Sequence, residues 1–131
     1  MIVEMRSYTL KSGAVATVEK RFEQALPARI RLSPLAGLWH TEVGVLNQVI
    51  ALWPYESSAE RERIRTEAAK IQGWPPDIGE FVVEQESKIL VPAPFSPPLE
   101  PRRLGNIYEI RTYSLPPGGI PAMIKGWSEI I

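Results

Sequence analysis

Apolar and polar positions alternate from the start of the chain. Over residues 2–10 (Ile-Val-Glu-Met-Arg-Ser-Tyr-Thr-Leu), one side carries Ile2, Glu4, Arg6, Tyr8 and Leu10, the other Val3, Met5, Ser7 and Thr9. This two-residue period predicts a strand. Lys11-Ser12-Gly13 reads as a turn. The period then changes: Val15, Val18, Phe22, Ala25 and Leu26 recur at helical spacing, with charged residues between them. Pro27 is expected to break or kink this helix near its end, and Ser33-Pro34 marks a boundary. Residues 35–43 and 48–55 read as two strands joined by Gly44-Val45-Leu46-Asn47, a link of hairpin length and chemistry. Ser57 with Glu60 fits a capping box, which predicts a helix to about Ile71 with a solvated Glu/Arg face. Residues 80–91 predict a fourth strand. The order is βαββαβ.

Residues 92–105 begin with Pro92-Ala-Pro-Phe-Ser-Pro-Pro-Leu-Glu-Pro101, an extended and stiff linker. A fifth strand is expected at 106–115, followed by the start of a helix. Shifted by 105 positions, residues 2–26 match 107–131 at seven of twenty-five places, among them Glu4/Glu109, Arg6/Arg111, Tyr8/Tyr113, Leu10/Leu115 and Gly13/Gly118. Three segments follow: a domain over 1–91, a proline-rich linker over 92–105, and a partial second repeat over 106–131.

The βαββαβ order predicts a ferredoxin-like α+β unit, an antiparallel sheet with two helices on one face. Val3 and Met5 suit the helix side, so Glu4, Arg6 and Tyr8 are expected on the opposite face. The middle strands are apolar on both sides, with Gly37, Trp39 and Val43 against Ala36 and Leu38, and Val49, Ala51 and Trp53 against Ile50 and Leu52. A sheet with one wet face alternates more cleanly. The second face is therefore expected to pair with a second copy in a two-fold homodimer, a dimeric α/β barrel.

Composition narrows the function. Fifteen Lys and Arg balance fifteen Asp and Glu, which argues against nucleic acid and a polybasic membrane anchor. The chain has no cysteine and one histidine. Thiolate chemistry is excluded, no metal site is expected, and no cofactor is predicted. No apolar run approaches the about 18 residues of a membrane helix, and Met1-Ile2-Val3-Glu4 lacks a signal-peptide pattern. The expectation is a soluble cytoplasmic protein.

The run Ile-x-Glu-x-Arg-x-Tyr-x-Leu-x-x-Gly, at 2–13 and again at 107–118, resembles the NIPSNAP domain. So do residues 38–49 (Leu-Trp-His-Thr-Glu-Val-Gly-Val-Leu-Asn-Gln-Val) continuing through Trp53-Pro54-Tyr55, and Gln85-Glu86-Ser87-Lys88-Ile89-Leu90 before the prolines. Pro54 and a short second helix depart from the pattern. The resemblance implies the dimeric α/β barrel fold. It implies no particular chemistry, because the wider fold group holds cofactor-free oxygenases, isomerases and haem proteins.

Candidate residues compete with structural roles. Glu4, Arg6 and Tyr8 can anchor the polar end of a ligand or form a structural ion pair. His40 and Tyr8 are the candidates for proton transfer, and His40 for an axial haem ligand. His40 can equally be a strand histidine paired with Glu42. Asn47 sits at a turn and can line the barrel mouth. Trp53 can line a pocket or fill the core. The expected function is binding of a small, mostly apolar ligand within the barrel near Glu4, Arg6 and His40. The alternatives are a cofactor-free monooxygenase or isomerase, and a protein-interaction module without a pocket.

Overall fold

The computed structural model describes every residue from Met1 to Ile131. Its elements follow the order β1 (Ile2–Leu10), α1 (Val15–Arg29), β2 (Gly37–His40), β3 (Gln48–Tyr55), α2 (Ser58–Ala68), β4 (Val82–Leu90) and α3 (Ile120–Ile130). The four strands form one antiparallel sheet in the order β2-β3-β1-β4. This is the ferredoxin-like arrangement that the element order predicts.

Local chemistry sets the boundaries. Gly13 turns the chain into α1 with φ +83°, a conformation open to glycine. Pro27 lies inside α1 but only two residues from its end at Arg29, so the helix loses one hydrogen-bond donor and little else. Ser57 caps α2 by accepting the Glu60 backbone N–H at 3.1 Å. The reciprocal half of the expected capping box is not made, because the Glu60 carboxylate accepts from Arg63 instead. The α-helix stops at Ala68, and turns at Lys70 and Ile71 complete the segment expected to be helical.

The two faces of β1 are reversed relative to the sequence expectation. β3 sets them. Val49, Ala51, Trp53 and Tyr55 are buried under the helices, and they pair with Tyr8, Arg6, Glu4 and Ile2. Glu4, Arg6, Tyr8 and Leu10 therefore face the helices, while Met5, Ser7 and Thr9 share the other side with Ile50, Leu52 and Trp39. The core lies under the helix face in two clusters, one around Val18, Phe22 and Val49, the other around Trp53, Tyr55 and Ile64. A charged carboxylate belongs on that face because a helix supplies its counter-ion, as described below.

The fifth strand is not formed. Residues 106–115 pair with no strand. A strand exists through its ladder, and alternation alone does not supply a partner. Tyr108 of this segment packs at a tilt against Trp39 of the sheet, with ring centroids 5.0 Å apart. The helix of the expected repeat does form, as α3, and none of its residues is buried. No helix is long and apolar enough to cross a membrane.

Candidate functional site

The sheet is covered unevenly. The helices pack over its middle strands, while most of edge strand β4 stays exposed. Between β1, β4 and the loop at residues 74–79 lies a cleft of about 470 Å³. That is within the usual range of small-molecule sites, about 300–1,000 Å³. Arg6 and Tyr8 line it from β1, Phe22 from α1, and Trp74 and Ile78 from the loop. Aromatic contacts fix its walls. Phe22 packs on Tyr8 (5.6 Å between centroids) and on Trp74 (6.4 Å), and Trp74 meets Trp53 edge-on at 6.0 Å.

Beneath Arg6 sits Glu4, with no exposed side chain. Burial of a lone carboxylate is costly, and here it is fully compensated. Arg61 of α2 donates Nε to Oε1 and Nη2 to Oε2, both at 3.0 Å. Arg6 Nη1 donates to Oε2 at 3.0 Å and Ser87 Oγ at 2.5 Å. Burial pushes the Glu4 carboxyl up, but these donors outweigh it and hold the pKa at about 2. Oε2 accepts three of these bonds and Oε1 one.

Arg6 has a second role. Its Nε donates to the Tyr8 hydroxyl at 3.0 Å. Burial works against its charge, and Tyr8 and Glu4 more than offset that, so its pKa is raised.

A second buried charge supports the cleft from behind. Arg29 is 3% exposed. Its guanidinium lies 4.2 Å from the Trp53 ring centroid and 5.9 Å from that of Trp74. It donates to the Tyr55 hydroxyl and to Ser33 Oγ, each at 2.9 Å. Burial lowers its pKa from the ordinary arginine value. No buried side-chain nitrogen or oxygen in the protein lacks a partner.

The candidates named from sequence separate into groups. Glu4, Arg6 and Tyr8 come together as one cluster, on the helix side of the sheet rather than between two sheets. His40 is on β2, the opposite edge of the sheet from β4, and does not join them. Its Nδ1 pairs with Glu19 of α1 at 2.5 Å and its Nε2 with Glu42 at 2.9 Å. The Glu42 hydrogen bond, with help from Glu19 and against slight desolvation, raises its pKa. The expected His40–Glu42 pair is thus present at a surface site, and both ring nitrogens are occupied. Asn47 takes φ +59° in the turn before β3, and its carbonyl accepts the Leu10 N–H at 2.8 Å. Trp53 is 3% exposed and belongs to the core, backing Trp74 rather than lining the cleft. No cluster of three or more histidine or acidic side chains suited to a metal ion is present.

Sequence reasoning missed Trp74, Arg61, Arg29 and Ser87. Trp74-Pro75-Pro76 signals a helix end, and nothing local says that the indole folds back over Phe22.

The NIPSNAP family model matches residues 3–97. The mouse protein NipSnap homolog 3B is 30% identical over 126 residues, which are 92% of this chain and 50% of the relative. A NipSnap homolog from Dictyostelium discoideum is 32% identical over 92 residues, 68% of this chain and 41% of the relative. The chain spans about half the length of the curated relatives it matches. Among solved structures, an uncharacterised NIPSNAP domain protein from Burkholderia xenovorans superposes with a TM-score of 0.70 at 33% identity, covering 75% of this chain and 100% of its own. A structure described as a putative antibiotic biosynthesis monooxygenase from Nitrosomonas europaea has a TM-score of 0.57 at 12% identity over 70% of this chain and 98% of its own, a likeness of fold alone. The chain belongs to the NIPSNAP family.

Proposed function

We propose that this protein binds a small, flat and mostly apolar molecule in the cleft between β1, β4 and the 74–79 loop. The observation that carries this reading is a cleft of about 470 Å³ in which the aromatic and aliphatic side chains of Phe22, Trp74, Ile78 and Val82 stand beside the polar groups of Arg6, Tyr8, Glu84 and Gln85. The ligand lies within one protomer, on the helix side of the sheet. The opposite face carries Met5, Trp39, Ile50 and Leu52, half-buried, with Tyr108 against Trp39 at one edge, and the rest of it pairs with a second copy.

Titration with neutral 2-naphthamide, followed by amide chemical shifts, tests the cleft. Shifts concentrated at Phe22, Trp74, Ile78 and Val82 are expected, and Trp74→Ala abolishes them. Shifts scattered over the surface, or none, contradict the reading. Light scattering tests the pairing. Leu52→Glu should convert a dimer to a monomer and leave naphthamide binding intact.

A further inference from the structure

The proposed cleft leaves open which polar group its floor recognises, and the hydrogen-bond inventory of that floor answers it. Glu4 is closed to a ligand. Its two oxygens accept twice from Arg61, once from Arg6 and once from Ser87. Its side chain has no exposed surface, so no ligand proton reaches it. Arg6 is not saturated. Nε is spent on Tyr8 and Nη1 on Glu4, and Nη2 has no protein partner. The Arg6 side chain keeps 20% of its exposure, on the side where it lines the cleft. Tyr8 is polarised in the same sense. Its oxygen accepts from Arg6, which leaves its own O–H proton to be donated elsewhere. Toward the cleft, the floor therefore offers a guanidinium N–H edge and a phenolic O–H.

The other polar residues lining the cleft do not cancel this. Gln85 pairs with Tyr8 in the β1–β4 ladder, so it stands on the same face as Arg6 and brings a neutral amide. Glu84 also lines the cleft, but it pairs with Thr9 and so belongs to the opposite pleat from Arg6 and Tyr8.

Resting on the cleft reading above, we infer that the ligand carries a carboxylate, seated on Arg6 Nη2 and the Tyr8 hydroxyl, with its apolar body between Phe22, Trp74 and Val82. Two donors set against one planar oxyanion suit a carboxylate, and charge-assisted bonds of this kind are the strong ones. Glu4 and Arg61 act behind them as positioning residues. Arg6 is held at the cleft by Glu4 and Tyr8 together, and swinging it away gives up both bonds.

The test compares 2-naphthoate with 2-naphthamide, which share a ring system and differ in charge, by calorimetric titration at neutral pH. The acid is expected to bind at least about tenfold more tightly than the amide. Arg6→Met should erase that preference, because it costs the acid its charge-assisted bond and the amide only a neutral one. Tyr8→Phe, which keeps the ring packed on Phe22, should reduce it several-fold and carries the test if Arg6→Met does not fold. Equal affinities for acid and amide, with the amide still mapping to the cleft, overturn the carboxylate assignment and spare the cleft. An acid preference that survives both variants also overturns it. Failure of the amide to map to the cleft removes the underlying reading instead.

Discussion

The sequence Glu-x-Arg-x-Tyr occurs twice in this chain, and the two occurrences share their local contacts but not their surroundings. At the first, Arg6 bridges Glu4 and Tyr8. At the second, Arg111 is hydrogen-bonded to Glu109 and, as its raised pKa reflects, to Tyr113 first and Glu109 next. The first triplet is part of a strand with ladders on both sides. The second is part of an unpaired segment, and the Arg111 and Glu109 side chains are 68% and 67% exposed. Arg61 and Ser87 reach the first carboxylate from α2 and β4. No such donor reaches the second. Residue spacing alone creates the arginine bridge, whereas a recognition floor also needs burial and the distant partners that fix the arginine.

The comparison can be broken by removing each carboxylate. Glu4→Gln leaves Arg61 and Arg6 competing for a neutral amide in a buried place and should cost about 3 kcal/mol in urea unfolding. Glu109→Gln should leave the unfolding midpoint unchanged. Equal effects would mean that burial does not distinguish the triplets.

Acid should expose the same difference. Glu4 titrates at about 2 in the folded protein against 4.5 for an unperturbed glutamate. The unfolded chain therefore takes up the proton first as pH falls. The stability that Glu4 contributes is fully present above 4.5 and is lost as pH falls through about 2. The gap between wild type and Glu4→Gln in urea midpoint should accordingly close over that window. A gap that persists below it would place the effect in packing rather than in charge.

The smallest effect belongs to His40. Its folded pKa is raised, so its contribution is full below the ordinary histidine value of 6.5 and is lost as pH rises through the folded pKa. The pair is exposed and screened, so His40→Ala should change stability by less than about 0.5 kcal/mol below neutral pH. At alkaline pH the two urea midpoints should coincide.

Much of the architecture is legible in the sequence. The change from a two-residue to a helical period after Gly13 and the Ser57 cap correspond to observed elements, whereas the second strand, expected over 35–43, spans only Gly37–His40 and the link expected at 44–47 runs over 41–47. The orientation of β1 is not legible. Two charged residues on one strand face read as pointing away from the helices, because the residue that neutralises Glu4 lies far along the chain on a helix whose charged face looks fully solvated. Arg61 is the exception on that face, its side chain 19% exposed. The 106–115 segment shows the reverse failure, since its alternation is that of a strand and no strand edge takes it. For the site, the Glu4, Arg6 and Tyr8 grouping is visible in β1, whereas Trp74 lies in a loop whose fold-back depends on Phe22, Trp53 and Arg29.

The most direct test is a nitrogen–proton spectrum that resolves the arginine Nε–H and tryptophan indole signals while 2-naphthoate is added. The account predicts saturable shifts at Arg6 and Trp74 with Arg111 and Trp127 unmoved. Equal movement of Arg6 and Arg111, or movement of neither, would contradict it.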